Sequence, residues 1–304
     1  MGAMGDGDLI LRAGGRTLAL GGRPLLMGIL NATPDSFSGD GARLATVDDR
    51  VARARELVDE GAEVIDVGGE SQITTTPPVD PDEETERVAP LIERVVADLD
   101  VLVSVDTYKP AVAEAAVAAG AGMVNDVSGL RDPGLADLCA RTGAALVVTH
   151  TRGEPKRKVL DHVYADVGAD VLAFLRERIA LARDRGVAAE QLVVDPGPDF
   201  AKTPEQTVAA LRALPALHAL GRPILLAVSR KDFVGAITGR RPAERGAGTL
   251  GALAVGVEAG VHLLRVHDVA AAADFLAVAA ALRGEAVVDP GLVLPDALRR
   301  EPAD

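Results

Sequence analysis

Eight short apolar runs recur along the chain, each followed by a longer segment rich in Ala, Glu and Arg with helical period. This alternation limits the fold more than any other feature. The runs are LLMGILN (25–31), EVIDVGG (63–69), VLVSVD (101–106), GMVNDV (122–127), ALVVTH (145–150), LVVDPG (192–197), ILLAVS (224–229) and HLLRVHD (262–268). Segments such as DDRVARARELVDEGA and GADVLAFLRERIALARDRG lie between them. Gly61, Gly120, Gly143, Gly186, Gly221 and Gly260 stand where a helix would end before the next run. Continuous apolar strands separated by helices predict a parallel sheet covered on its outside. Eight such units predict an α/β fold, a single (β/α)8 TIM barrel, with a doubly wound open sheet as the alternative. Barrels of roughly 250 residues form one domain, so a chain of 304 residues need not split in two. The barrel is assigned to residues 9–284, with tails at 1–8 and 285–304. Ahead of the first unit, LILRAGGRTLALGGRP reads as a short N-terminal hairpin turning at Gly14-Gly15 and plugging the barrel bottom.

The apolar share of 48% is ample for a large core, yet aromatic residues make up only 2% and tryptophan is absent. Ala, Val and Leu must therefore build that core. A formal net charge of −13 and a pI near 4.9 argue against non-specific binding of nucleic acid or anionic membrane. The single cysteine, Cys139, excludes an internal disulfide framework and fits a reducing cytoplasm. No apolar run reaches the roughly 18 residues of a membrane span, and MGAMGDGD lacks the layout of a secretory signal. The expectation is a soluble, cytoplasmic protein.

Polar side chains collect where the runs end: Asn31; Asp66 with Glu70; Asp106; Asn125 with Asp126; His150 with Arg152; Asp195; Ser229, Arg230 and Lys231; Arg265, His267 and Asp268. One such residue is as readily a helix cap as a functional group. Such residues at every strand end, above an apolar interior, form a site, because barrels assemble their sites at that face. Lys231, Arg265 and His267 belong to the last two strands, where barrels often bind phosphate, and Lys231 adjoins an expected helix N-terminus. They read as an anion site; the alternative is that Arg265 and His267 pair with Asp268 or Asp195 and brace the rim. Asp106, Asn125 and Asp195 suit a planar heterocycle carrying several N–H donors, such as a 2-amino-4-oxo ring. A metal held by those same residues would want a tighter grouping. The stretch DVGGESQITTTPP (66–78) runs from a buried strand into a loop of hydroxyls and prolines, which alone would be an ordinary surface connection.

In MGILNATPDSFS (27–38), DVGGES (66–71), SVDTYKPAVAEAA (104–116), NDVSG (125–129), DPG with a later FAKT (195–203), SRKDFVG (229–235) and LRVHDV (264–269), the sequence resembles the dihydropteroate synthase family. The resemblance spans nearly the whole barrel, with its motifs in order at strand ends. It implies a transferase of alkyl or aryl groups in folate biosynthesis. Such an enzyme condenses 6-hydroxymethyl-7,8-dihydropterin diphosphate with the amine of p-aminobenzoate and releases pyrophosphate. It implies that Asp106, Asn125, Asp195 and Lys231 bind the pterin, and that Asn31, Arg265 and His267 bind the diphosphate. Asp106, Lys231 and Asn31 would then stand at the reacting centre, with Asn31 also near Mg2+. It further implies a homodimer, and loops around 31–41 and 70–78 that close over the reacting centre and exclude water. The second-substrate loops would include Phe37, Gln72, Ile73, Phe200 and Asp232.

The sequence departs from the family mainly on that second-substrate side. Gln72 and Ile73 stand where Thr-Arg-Pro-Gly usually follows GGES, and Asp232 stands where a serine usually follows SRK. Thr149 and Thr151 replace methionines that often flank the fifth-strand histidine, and Gly39-Asp40 reverses a usual order. An expected cation is lost and an anion gained, unless Asp232 simply caps its helix. A paralogue with a different amine acceptor and weaker sulfonamide binding, and a non-catalytic pterin-binding protein, are therefore the alternatives. A corrinoid-linked methyltransferase on the same barrel is disfavoured, since it has no need of cations for a departing polyanion.

Overall fold

Successive residues of a strand point to opposite sides, so runs that are apolar throughout must bury both faces and generate two cores. The computed structural model describes residues 9–33, 46–71, 76–157 and 159–299. An antiparallel hairpin, β1 (Ile10–Ala13) and β2 (Arg16–Ala19), precedes eight parallel strands. These are β3 (Leu25–Asn31), β4 (Val64–Gly68), β5 (Leu102–Asp106), β6 (Met123–Asp126), β7 (Ala145–Thr149), β8 (Leu192–Asp195), β9 (Leu225–Leu226) and β10 (Leu263–Val266). Their order, β8-β7-β6-β5-β4-β3-β10-β9, is closed by a parallel bridge between Val194 and Ile224. The sheet is therefore a barrel and not an open doubly wound sheet.

Nine helices lie between and after the strands: α1 (Val47–Asp59), α2 (Pro81–Asp98), α3 (Pro110–Ala118), α4 (Gly134–Thr142), α5 (Val167–Asp184), α6 (Pro204–Arg212), α7 (Asp232–Thr238), α8 (Gly246–Glu258) and α9 (Val269–Leu282), counted among the described residues. Each buries a stripe against the outward strand faces. In α2 the stripe is Val88, Leu91, Ile92 and Val95, the i, i+3, i+4, i+7 pattern of one helical face. The outer core joins such stripes to Leu30, Ile65, Val67, Val103, Val105, Val124, Leu146 and Val148. The inner core uses the alternate positions, Met27, Val64, Leu102, Met123, Val147, Val193 and Leu263.

Leu11, Ala13 and Leu20 of the hairpin belong to that inner core, so the hairpin closes the barrel bottom as expected. Its turn needs left-handed backbone at two residues, supplied by Gly14 (φ 57°) and Gly15 (φ 85°). A Cβ on Gly14 would stand 2.5 Å from Gly122 Cα, so glycine is also required by close approach. The expected run 224–229 keeps only Leu225 and Leu226 in the ladder. The chain leaves the sheet early because Arg230 is left-handed (φ 58°) and Ser229 turns to His267. Residues 282–299 are exposed throughout. Among the described residues no helix is long and apolar enough to cross a membrane.

Candidate functional site

Asn31, Asp66, Asp106, Asn125, Asp195 and Arg265 stand on the inward register, directly above the inner core, whereas Asp126 and His150 fall on the outward one. Asn31 pairs in register with Gly68, Gly68 with Asp106, and Asp106 with Asn125, so these residues form one tier across four neighbouring strands. Asp66 lies one inward step below, opposite Ile29 and Ser104. From β10, Arg265 reaches across the mouth. Its Nε donates to Asp66 Oδ2 at 2.6 Å and its Nη2 to Asp106 Oδ2 at 2.7 Å. Asn125 Nδ2 donates to the same Asp66 oxygen at 3.2 Å. Asp66 Oδ1 and Asn125 Oδ1 are buried and have no hydrogen-bond partner among the described residues. Buried acceptors are rarely left unmatched, so this tier is short of donors.

Asp195 and Lys231 complete the wall. Gly197 N–H donates to Asp195 Oδ1 at 2.7 Å. Lys231 precedes α7, and its Nζ lies 4.3 Å from the centre of the Phe200 ring, a cation–π contact. Burial pushes the Asp106 carboxyl up to about 7, with the Arg265 charge pulling against it and Asp66 pushing with it. Burial also raises Asp195, against the Gly197 hydrogen bond and the Lys231 charge. Lys231 is lowered by burial, against the attraction of Asp199 and Asp195. Burial opposes the Arg265 charge, but Asp66 and Asp106 outweigh it and raise its pKa. Asp106, Asp195, Lys231 and Arg265 thus act in one another's field.

The expected cluster of three cations needs correction. His267 Nδ1 lies 2.9 Å from Ser229 Oγ, and Ser229 Oγ also accepts from His267 N–H at 3.2 Å. Burial, with Arg230, Arg265 and Lys231 close by, lowers His267 to about 3, so the ring is neutral at physiological pH. The rim-bracing alternative fails too. Arg265 chooses Asp66 and Asp106, while Asp268 caps α9 by accepting from Ala271 N–H at 3.0 Å.

On the outer side, Asp232 does not cap α7. It is the first helical residue, 77% exposed at its side chain, and its Oδ1 accepts from Arg245 Nη1 at 3.1 Å. Arg245 also donates to Arg230 O at 2.8 Å and packs over Gly235, where any Cβ would overlap its guanidinium. The anion gained at Asp232 is therefore partnered. Phe37, Gln72 and Ile73 lie outside the described residues. The flanks of that second loop are tied down: Lys109 Nζ donates to Glu84 Oε2 at 2.5 Å, Val79 O at 2.7 Å and Glu70 Oε1 at 3.1 Å. Lys156 Nζ donates to Ser71 O at 2.6 Å and Thr76 Oγ1 at 2.7 Å.

Asp66 is the central residue that the strand-end reading notes but gives no role. Its signal is the two-residue spacing Asp66-x-Gly68, which puts a fully buried carboxylate on the face that Asn31 and Asp106 share.

Residues 27–267 match the family described as pterin binding enzyme. The dihydropteroate synthase of Bacillus subtilis is 42% identical over 248 residues, covering 81% of this chain and 84% of that one. The dihydropteroate synthase of Synechocystis is 40% identical, covering 86% and 91%. Among solved structures, Xanthomonas albilineans dihydropteroate synthase with 4-aminobenzoic acid superposes with a TM-score of 0.84 at 45% identity, covering 90% of this chain and 98% of that one. The Yersinia pestis dihydropteroate synthase with a sulfonamide drug superposes with a TM-score of 0.85 at 35% identity, covering 91% and 100%.

Proposed function

Because the chain belongs to the pterin-binding enzyme family, we propose that it is a dihydropteroate synthase. It joins 6-hydroxymethyl-7,8-dihydropterin diphosphate to p-aminobenzoate and releases pyrophosphate. The observation that carries this reading at residue level is the donor-poor tier of Asp66, Asp106 and Asn125 spanned by Arg265. A flat ring edged with N–H groups supplies what the tier lacks, and Asp106, Asn125 and Asp195 are its holders. Lys231 faces the ring from the Phe200 side.

Chemistry at the exocyclic methylene separates positive charge on the pterin from negative charge on the departing diphosphate. Carboxylates fixed around the ring favour the first. Arg265, Lys231 and a hydrogen bond from neutral His267 favour the second, while Asn31 stands at the mouth. Asn31 Oδ1 lies 3.9 Å from where a Cβ on Gly68 would stand. Among the described residues no group of three His, Cys, Asp or Glu could cage a metal ion. Mg2+ takes oxygen ligands and relies largely on substrate phosphates and water, so Asn31 would offer it one neutral amide oxygen. Bound beside Asn31 it would supply Lewis-acid stabilisation to the leaving group. The amine acceptor enters from the side of Phe200 and Asp232; Gln72 and Ile73, expected to share that role, lie outside the described residues.

The supporting homologues and the absence of a membrane-crossing helix among the described residues suit a cytoplasmic enzyme. The resemblance favours a homodimer. Incubation with the pterin diphosphate, Mg2+ and p-aminobenzoate, read by mass spectrometry, tests the reaction. Dihydropteroate and stoichiometric pyrophosphate are expected. Pterin binding without turnover on any amine would make the protein a binder instead.

A further inference from the structure

Seven residues beyond Asp195, Lys202 is 1% exposed and is the largest fully buried side chain among the described residues. Its Nζ lies 2.7 Å from His150 Nδ1, 2.9 Å from Gly197 O and 3.2 Å from Phe200 O. An ammonium has three N–H donors and no acceptor, and here these three acceptors surround it, with His150 O a longer fourth at 3.5 Å. For His150 Nδ1 to accept, the ring proton must sit on Nε2, and Asp170 Oδ2 stands 2.9 Å from that atom. Asp170 is in turn gripped by Arg152 Nε at 3.0 Å and Nη2 at 2.6 Å. Burial, then the neighbouring Lys202, lower His150 to about 3, which keeps the ring in the neutral form this arrangement needs. Burial lowers Lys202 itself to about 7, and the charged groups around it are Asp195, Lys231, Asp170 and Asp199.

What the lysine holds is a strained turn. Gly197 (φ 64°), Asp199 (φ 65°) and Ala201 (φ 49°) are all left-handed, a region costly for the two that carry a Cβ. Such backbone persists only where surrounding contacts over-determine it. Lys202 takes two of the turn's carbonyls; Tyr164 Oη donates to Ala201 O at 3.0 Å, and Thr207 Oγ1 donates to Asp199 Oδ1 at 3.1 Å. A Cβ on Gly197 would fall 2.0 Å from His150 O, so the turn is pressed directly against the histidine's strand. The turn meets the pocket at two points. Gly197 N–H holds Asp195, and the Phe200 ring lies beneath Lys231.

We propose that Lys202, oriented by His150 and Asp170, is a positioning residue of the pterin pocket: it fixes the turn after β8 and so sets both Asp195 and the aromatic face under Lys231. The proposal rests on the pterin-pocket reading above, and calorimetry separates the two. Absence of pterin binding by the unaltered enzyme would defeat that reading, whatever Lys202 does. Given binding, Lys202→Met should raise the pterin Kd about tenfold, the scale of one charge-assisted hydrogen bond lost. The same variant, if it loses only thermal stability and binds pterin as before, overturns the proposal. His150→Gln and His150→Leu supply a second arm that holds even if Lys202→Met fails to fold. Glutamine can offer an oxygen to Lys202 and an N–H to Asp170, so its Kd should stay within about twofold, whereas leucine should lose about tenfold. Equal Kd values for the two variants would overturn the proposal.

Discussion

Replacing Asp66 by asparagine keeps the shape of the tier and removes its deepest charge. Asp66 is fully buried and accepts from both Arg265 and Asn125. Breaking a buried ion pair by removing one partner costs about 3–5 kcal/mol when the survivor is stranded. Arg265 is not stranded, since Asp106 remains 2.7 Å from its Nη2, and asparagine still offers a neutral oxygen. The loss should therefore fall to about 2 kcal/mol, the scale of one hydrogen bond to a charged group. Arg265→Met alone should cost more, because it leaves two carboxylates facing each other without the cation that bridges them. Asp106 would then limit the damage by taking a proton. The double variant should be less damaging than the sum of the two, with a coupling of about 1–2 kcal/mol. Urea unfolding at neutral pH, with unchanged slopes, measures all four corners of the cycle. Coupling below about 0.5 kcal/mol would mean that Arg265 does not join Asp66 in solution, and the account of the tier would fail.

Three further outcomes follow from the same geometry. Asp106 has a folded pKa of about 7 against roughly 4 for an unfolded chain. Its stabilising contribution is therefore complete below about pH 4 and lost as pH rises through about 7; Asp106→Asn should flatten that part of the stability profile, and superimposable profiles would refute the burial argument. Asp232→Ser frees Arg245 from its exposed partner, so kcat/KM for p-aminobenzoate and sulfonamide affinity should each improve about two- to fivefold; no gain would show that the acceptor carboxylate is held elsewhere. Unphosphorylated pterin and inorganic pyrophosphate with Mg2+ should bind cooperatively by calorimetry, each tightening the other about five- to tenfold; independent binding would contradict a shared Arg265.

The barrel was legible because its strands are buried on both faces. The run 25–31 is β3 without a residue's difference, and each other observed strand falls inside its expected run. The strand-end site was legible for the same reason, since Asp106, Asn125 and Asp195 interrupt otherwise apolar segments. Asp66 was noted at its strand end but given no role, because only the two-residue register places it on the face shared by Asn31 and Asp106. The partners of Arg265 could not be read from the chain: they lie 159 and 199 residues away, and only barrel closure brings them together. The charge of His267 was misread because histidine's protonation is set by burial and by nearby cations, which spacing does not reveal. Lys202 stands in FAKT as an ordinary loop lysine, and nothing local signals that a ring nitrogen and backbone carbonyls enclose it.

In the proposed reading, the corrected charges change how the two halves of the substrate would be held. A polyanion does not meet three free cations: Arg265 is already claimed by two carboxylates, and His267 is neutral. Lys231 sets its ammonium against the Phe200 ring, in the field of Asp199 and Asp195. Held only by these groups, a diphosphate would compete with Asp66 and Asp106 for Arg265. Ring binding alters that competition. When N–H donors of a heterocycle engage the carboxylates, part of their negative charge is spent on the ring, and the guanidinium is held less tightly. The phosphate arm would then find the arginine available, and an arginine turned toward phosphate would leave the carboxylates to the ring. In the proposed reading each half of the ligand would thus relieve the conflict that opposes the other, favouring the intact pterin diphosphate over either fragment and making the buried network part of its selectivity.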